Sequence, residues 1–274
     1  MKFSACSLVL LAALVPVVSP RALALSEDEA IAGRLIARRY ADAIVGVKGT
    51  VVMRITVGER PMPPNEQKID INGTMIAPSG LTVTSFSGID PRALFEAYRS
   101  QMNTGGLAVE LGQTEFKALR LRLGDGTEIP VKVIGKDVER DLVFLAPVDS
   151  AAAKQRSLTF VDLNEAPASA SILGSYYQLS RAGEILQRVP LIRSSTVAAI
   201  IERPRRLLIV TTDSFPDAIG CPVFDPKGRA LGICLHFMEN GLPKGTVLVP
   251  AADVAAAAGD IIVPQKITDS LGSG

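Results

Sequence analysis

The chain has 274 residues, 47% of them hydrophobic and 21% charged, which excludes a disordered chain and leaves enough apolar material for one large core or two lobes. Its 29 basic and 28 acidic residues give a formal charge of +1, far from the basic surplus that nucleic-acid binding requires.

The first segment reads as an export signal. Lys2 gives a short positive start, and Leu8 to Val18 is an apolar run of about eleven residues, the length of a signal h-region. Ala22-Leu23-Ala24 supplies a small-x-small cleavage site, while Pro16, Pro20 and Arg21 interrupt what would otherwise be an anchor. A transmembrane helix needs about 20 apolar residues. The expectation is a signal peptide over 1–24, no stable membrane span, and a secreted or periplasmic mature chain. Cleavage removes Lys2, Arg21 and Cys6 and turns the formal charge to −1. The remaining Cys221 and Cys234 then lie in an oxidising compartment, and with the single His236 they are too few for a zinc site. Neither a metal nor a cofactor is expected.

Ser26 followed by Glu27, Asp28 and Glu29 reads as a helix N-cap with acids over the positive end of the dipole, so residues 25–47 are assigned to an N-terminal helix. The period then changes. Thr50 to Val57 is β-branched and strand-like, Arg60 to Asn65 is a proline-rich loop, and Lys68–Ile71 and Thr74–Ile76 lead through the turn Pro78-Ser79-Gly80 into Leu81–Thr84. A surface helix is expected over Pro91 to Met102, followed by a turn from Asn103 to Gly106. The alternating stretch Phe116–Leu123 meets the hairpin signal Asp125-Gly126, and Ile129–Ile134 returns. Leu142–Leu145 is a buried strand and Ala151–Ser157 a linker. A second series of strands runs from Leu158 to Val263, with turns at Pro226-Lys227-Gly228 and Gly241–Gly245. Ala251–Ala258 forms a closing helix ended by Gly259. Many short strands at this spacing read as an all-β barrel or sandwich, divided into lobes at 48–150 and 157–263 with a tail at 264–274.

Three segments carry more than pattern. They are Ile71-Asn72-Gly73-Thr74-Met75-Ile76 through Gly80 to Thr84; Leu121 through Asp125-Gly126 and Gly135-Lys136-Asp137 to Asp141-Leu142-Val143-Phe144-Leu145; and Thr212-Asp213 through Gly220-Cys221-Pro222-Val223 to Gly228 and Leu231-Gly232-Ile233. In order and spacing they resemble the HtrA (Deg) branch of the trypsin-like serine proteases, over about residues 48–258, and Val249-Pro250 is similar to that family's ending. The resemblance implies two Greek-key β-barrels packed at a cleft, with catalytic groups from both. With the resemblance running to about residue 258, a downstream PDZ domain is not expected in these 274 residues.

Carried over residue by residue, the resemblance puts Ser87 at the position of the catalytic histidine and Asp141 on the aspartate. Ile219 falls on the nucleophile and Asp217 on the oxyanion-hole glycine. Serine is no base near neutral pH and isoleucine no nucleophile. Asp217 adds a β-carbon and a carboxylate where an anionic intermediate would have to sit. The family's catalytic set is therefore not intact, Asp141 alone surviving as a structural polar group. His236 reads as a partly exposed strand histidine.

The leading expectation is an exported inactive homologue acting as a peptide- or protein-binding module. The resemblance implies that an extended peptide adds along the edge Ile233-Cys234-Leu235-His236-Phe237. Two alternatives stand beside it: a peptidase using Cys221 as nucleophile, and an envelope structural protein with no ligand. If Lys227-Gly228 is a two-residue turn, counting outward puts Cys221 opposite Cys234 in a non-hydrogen-bonded pair, within reach of a disulfide.

Overall fold

The structure, a computed structural model, describes residues 26–99, 106–165, 170–211, 216–239 and 242–271, without the side chains of residues 97, 154 and 262–271. The expected signal peptide, most of the turn at 103–106 and the Thr212-Asp213 segment lie outside the described residues. Among those described, no helix is long and apolar enough to cross a membrane.

Helix α1 (Glu27–Tyr40) starts as its sequence predicts. The Ser26 side chain accepts from the Glu29 amide while the Glu29 carboxylate accepts from the Ser26 amide, a reciprocal capping box. A single 3-10 turn at Ala41–Ala43 follows, and strand β1 begins at Ile44, so residues 44–47 belong to the first barrel and not to the helix. Beyond β1 (Ile44–Val57) come β2 (Arg60–Pro61), β3 (Asn65–Met75), β4 (Thr82–Ser85), α2 (Pro91–Arg99), β5 (Val109–Arg122), β6 (Glu128–Asp137) and β7 (Leu142–Pro147). The sheet order is β2-β1-β3-β4-β7-β6-β5, and β1 also pairs with β5, which closes six strands on themselves. Two segments expected as separate strands before the Pro78 turn are one strand, β3, because β1 runs beside it unbroken from Ile44 to Met53.

The expected linker at 151–157 contains a short helix, α3 (Ser150–Lys154), capped by the Asp149 carboxylate. The second barrel follows: β8 (Ser175–Arg181), β9 (Pro190–Ile201), β10 (Leu207–Val210), β11 (Pro222–Phe224), β12 (Ala230–Glu239) and β13 (Leu242–Pro250), closed in the order β10-β13-β12-β11-β8-β9. Helix α4 (Ala251–Leu271) passes through Gly259, so the helix expected to end there continues into the expected tail.

Each barrel has an interior cluster, and a third cluster joins them. Ile44, Val83, Leu142 and Phe144 of the first barrel share a core with Leu179, Ile233, Leu235 and Val249 of the second. Helix α1 completes that core from outside, with Tyr40 stacked on Phe224 at a ring separation of 4.8 Å. The two barrels therefore meet across an apolar seam, at whose rim the polar groups described next are gathered.

Candidate functional site

Asp141 is the centre of the site. It sits in the turn before β7 with φ of 57°, a left-handed conformation that aspartate tolerates better than bulkier residues, and is fully buried. Its Oδ1 accepts from the Ser87 amide at 2.6 Å, and its Oδ2 accepts from Ser85 Oγ at 2.7 Å and from the His236 amide at 3.0 Å. Burial alone would push this carboxyl up. Hydrogen bonds from His236, Ser85 and the Ser87 amide outweigh burial and hold it below the usual aspartate range.

His236 is the partly exposed strand histidine that its sequence suggests, and it has a further role. It is no bystander on its strand: β12 carries it across the seam from the second barrel, and Nδ1 lies 3.3 Å from Asp141 Oδ2, 2.9 Å from Ser87 Oγ and 3.3 Å from Ser85 Oγ. Burial and proximity together assign the proton. A lone pair on Nδ1 would face the buried carboxylate, so the network is satisfied with Nδ1 as donor, Ser87 Oγ turned to Ser85 Oγ at 3.1 Å, and Ser85 donating to Asp141. His236 thus orients on Asp141 through Nδ1, and its Nε2 is the accepting atom. No hydroxyl or thiol among the described residues is hydrogen-bonded to that Nε2. Ser87 sits on the wrong side of the ring to serve as its nucleophile, and it is itself buried. Its alternation with Cys234 on β12 fixes which flank its amide takes, but no signal in the sequence ties it to Asp141.

The loop that would carry a nucleophile is also fixed. Gly220 has φ of 78°, its carbonyl accepts from Thr74 Oγ1 at 2.7 Å, and its amide donates to the Cys234 carbonyl. A β-carbon there would come within 2.3 Å of the Asn72 carbonyl oxygen, so only glycine fits. Ile219 beside it is buried and apolar. Asp217 does not reach into an open anion site. Its Oδ2 accepts from both terminal nitrogens of Arg193 at 3.0 Å and from Ser180 Oγ at 3.0 Å.

Both cysteine expectations fail. Cys221 and Cys234 are free thiols, each fully buried. They do lie opposite one another, but not as a non-hydrogen-bonded pair: the Cys234 amide donates to the Cys221 carbonyl at 2.9 Å, while the Cys234 carbonyl accepts from Gly220 and the Cys221 amide donates to the Ala218 carbonyl. Gln178 donates to Cys234 Sγ, and Cys221 Sγ donates to the Asp217 carbonyl, turning the two thiols to separate partners. Burial pushes Cys221 well above the ordinary thiol range and Cys234 up to about 12, and a thiol so held is no nucleophile.

The expected peptide-binding edge is also shorter than its sequence reading. Ile233 is paired with Val249 on one flank and Pro222 on the other. Cys234 is bonded to Cys221 and Gly220, Leu235 is fully buried, and the His236 amide is taken by Asp141. An added strand could begin only beyond that amide, along Phe237–Glu239, where Phe237 and Glu239 are exposed. Among the described residues no cluster of histidine, cysteine and carboxylates could hold a metal ion.

No protein-family model and no curated protein matches the sequence. Solved structures do. The serine endoprotease from Yersinia pestis superposes with a TM-score of 0.52 at 15% identity, covering 84% of this chain and 66% of that one, just under two thirds of its length. Deg5 superposes with the same TM-score at 15% identity, covering 85% of this chain and 94% of that one. The fold is trypsin-like, of the HtrA/Deg kind. At this identity the likeness is one of fold.

Proposed function

We propose that this chain is an exported, catalytically inactive member of the trypsin-like fold that binds extended polypeptide. The observation that carries the reading is the histidine network: the imidazole beside Asp141 comes from the opposite barrel, and among the described residues no hydroxyl is hydrogen-bonded to its accepting nitrogen. Acyl transfer needs nucleophile, base and anion donors in one place. Here Ile219 replaces the first, and Asp217 with Arg193 fills the ground where the last would stand. Peptide binding is supported by the exposed segment Phe237–Glu239, where main-chain pairing needs no catalytic side chain.

One observation favours a hydrolase instead. Asp141 and His236 form an oriented carboxylate–imidazole dyad, half of the machinery. A single experiment separates the two. The purified mature protein is incubated with fluorescent casein and, separately, with a fluorophosphonate probe, then titrated with unfolded reduced casein. The expected outcome is no hydrolysis, no label on any serine, and saturable binding. Label on Ser87, or hydrolysis abolished by His236→Ala, would establish the hydrolase.

A further inference from the structure

The loop after β1 carries a construction that the site chemistry does not use. Seven consecutive residues, Gly58 to Pro64, are exposed on the first barrel. Gly58 turns the chain with φ of 59°, and β2 then runs back along the end of β1, Arg60 opposite Val57 and Pro61 opposite Thr56. β2 stands at the end of the sheet order, and among the described residues no strand but β1 pairs with it.

Covalent geometry fixes the backbone here. The rings of Pro61, Pro63 and Pro64 hold φ at about −65°. Arg60, Met62 and Pro63 each precede a proline, which bars them from the helical region. Residues 60–64 are thereby confined to extended or polyproline II backbone before any partner arrives. Such a helix makes a turn in about three residues, so Pro61 and Pro64, in the spacing P-x-x-P, share one face of it.

Edge prolines ordinarily serve to stop strand addition, and one is enough for that. Here the block is complete. Three of the four residues 61–64 have no amide hydrogen, and the fourth, Met62, donates its own to the Ile55 carbonyl at 2.8 Å. A strand has no donors to pair with along this run, yet its apolar side chains stay uncovered, Met62 being 43% exposed. A shallow cleft of about 260 Å³ lies between Pro63-Pro64 and Tyr98, with room for a single side chain from outside. Of the two charges in the loop, Glu59 lies in the turn and Arg60 at the head of the run, and neither has an ion pair among the described residues. What remains open to a partner is a set of ring faces, a preset backbone and one cation. That is the chemistry read by aromatic-lined grooves specific for polyproline II.

We propose that Arg60–Pro64 is a docking ligand for a protein domain whose aromatic-lined groove recognises polyproline II, an acidic residue of that domain meeting Arg60. The proposal goes beyond the peptide-binding reading: at Phe237–Glu239 the chain receives a segment, and here it presents one. Titration of the mature protein over a panel of immobilised SH3 and WW domains tests it by surface plasmon resonance. At least one domain should bind saturably, and a free polyproline peptide should displace it. Pro63→Ala/Pro64→Ala should weaken that binding at least about tenfold, because the preset backbone and the ring contacts are lost together. Arg60→Glu leaves the prolines in place and should weaken it about fivefold at low salt, and less at high salt. Absence of binding to every domain, binding that the polyproline peptide does not displace, or binding unchanged by either variant overturns the proposal. None of these results touches the reading of Phe237–Glu239, which the casein titration tests by itself.

Discussion

Asp141 has no exposed atom to speak of, yet it accepts hydrogen bonds from β4 and the turn after it in one barrel and from β12 of the other. Removing it leaves the Ser87 and His236 amides without an acceptor inside the seam. Asp141→Ala should therefore lower the unfolding free energy by about 3 kcal/mol, measured by urea denaturation. The same carboxylate sets a pH dependence. Because its folded pKa is depressed, the stability it contributes is fully present above the unfolded value of about 3.9 and is lost as pH falls through the lower folded value. The urea midpoint should drop on acidification below about pH 4, and drop less in Asp141→Asn. The buried thiols make a second residue-scale prediction. Cys221 and Cys234 should resist a thiol reagent in native buffer, and two equivalents should react once the chain is unfolded in denaturant. One equivalent or none in denaturant would mean that the thiols had been oxidised.

At the scale of elements, helix α1 and the β11–β12 hairpin show what the residues alone could and could not reveal. The start of α1 was legible because a capping box is local: Ser26 and Glu29 need only each other. Its docking was not, since Tyr40 stacks on Phe224 from the far end of the chain. That stack should matter: Tyr40→Ala should cost about 3–5 kcal/mol in the same denaturation measurement. In the hairpin, counting outward from a two-residue turn puts Cys221 opposite Cys234, and they are opposite, but by another route. Asp225 pairs with Arg229 around a longer turn, Leu231 is then bulged out, and the bulge restores the register. The position was reached without the geometry, so the pair type and the disulfide expectation were wrong. The role of His236 was missed for a related reason. Periodicity reports which face a side chain takes, and nothing in the spacing tells that Asp141 waits across the seam 95 residues earlier in sequence. Asp141 was legible from the run it opens, Asp141-Leu142-Val143-Phe144-Leu145, whereas the places given to Ser87, Ile219 and Asp217 rest on the family pattern that the sequence resembles.

The whole molecule is two barrels that share their interior. Residues of both lie in one apolar cluster, and the polar contacts at its rim are also shared. Asn72 of β3 donates to the Arg181 carbonyl at 2.8 Å and to the Asp217 carbonyl at 2.9 Å, and accepts from Arg188. Thr74 reaches Gly220, and His236 reaches Asp141. Separating the barrels would expose that core and strand these partners together, so neither barrel keeps its stability alone. Calorimetry should then show a single transition, with the van't Hoff enthalpy close to the calorimetric one. Asn72→Ala removes the amide that bridges the Arg181 and Asp217 carbonyls, of which the second keeps Cys221 Sγ as a donor, a loss of about 1–3 kcal/mol. If the seam couples the barrels, that substitution should move the one transition to lower temperature without splitting it. Two resolved transitions in the wild type would mean that the seam is a docking surface between independent lobes, and that His236 can leave Asp141 without unfolding anything.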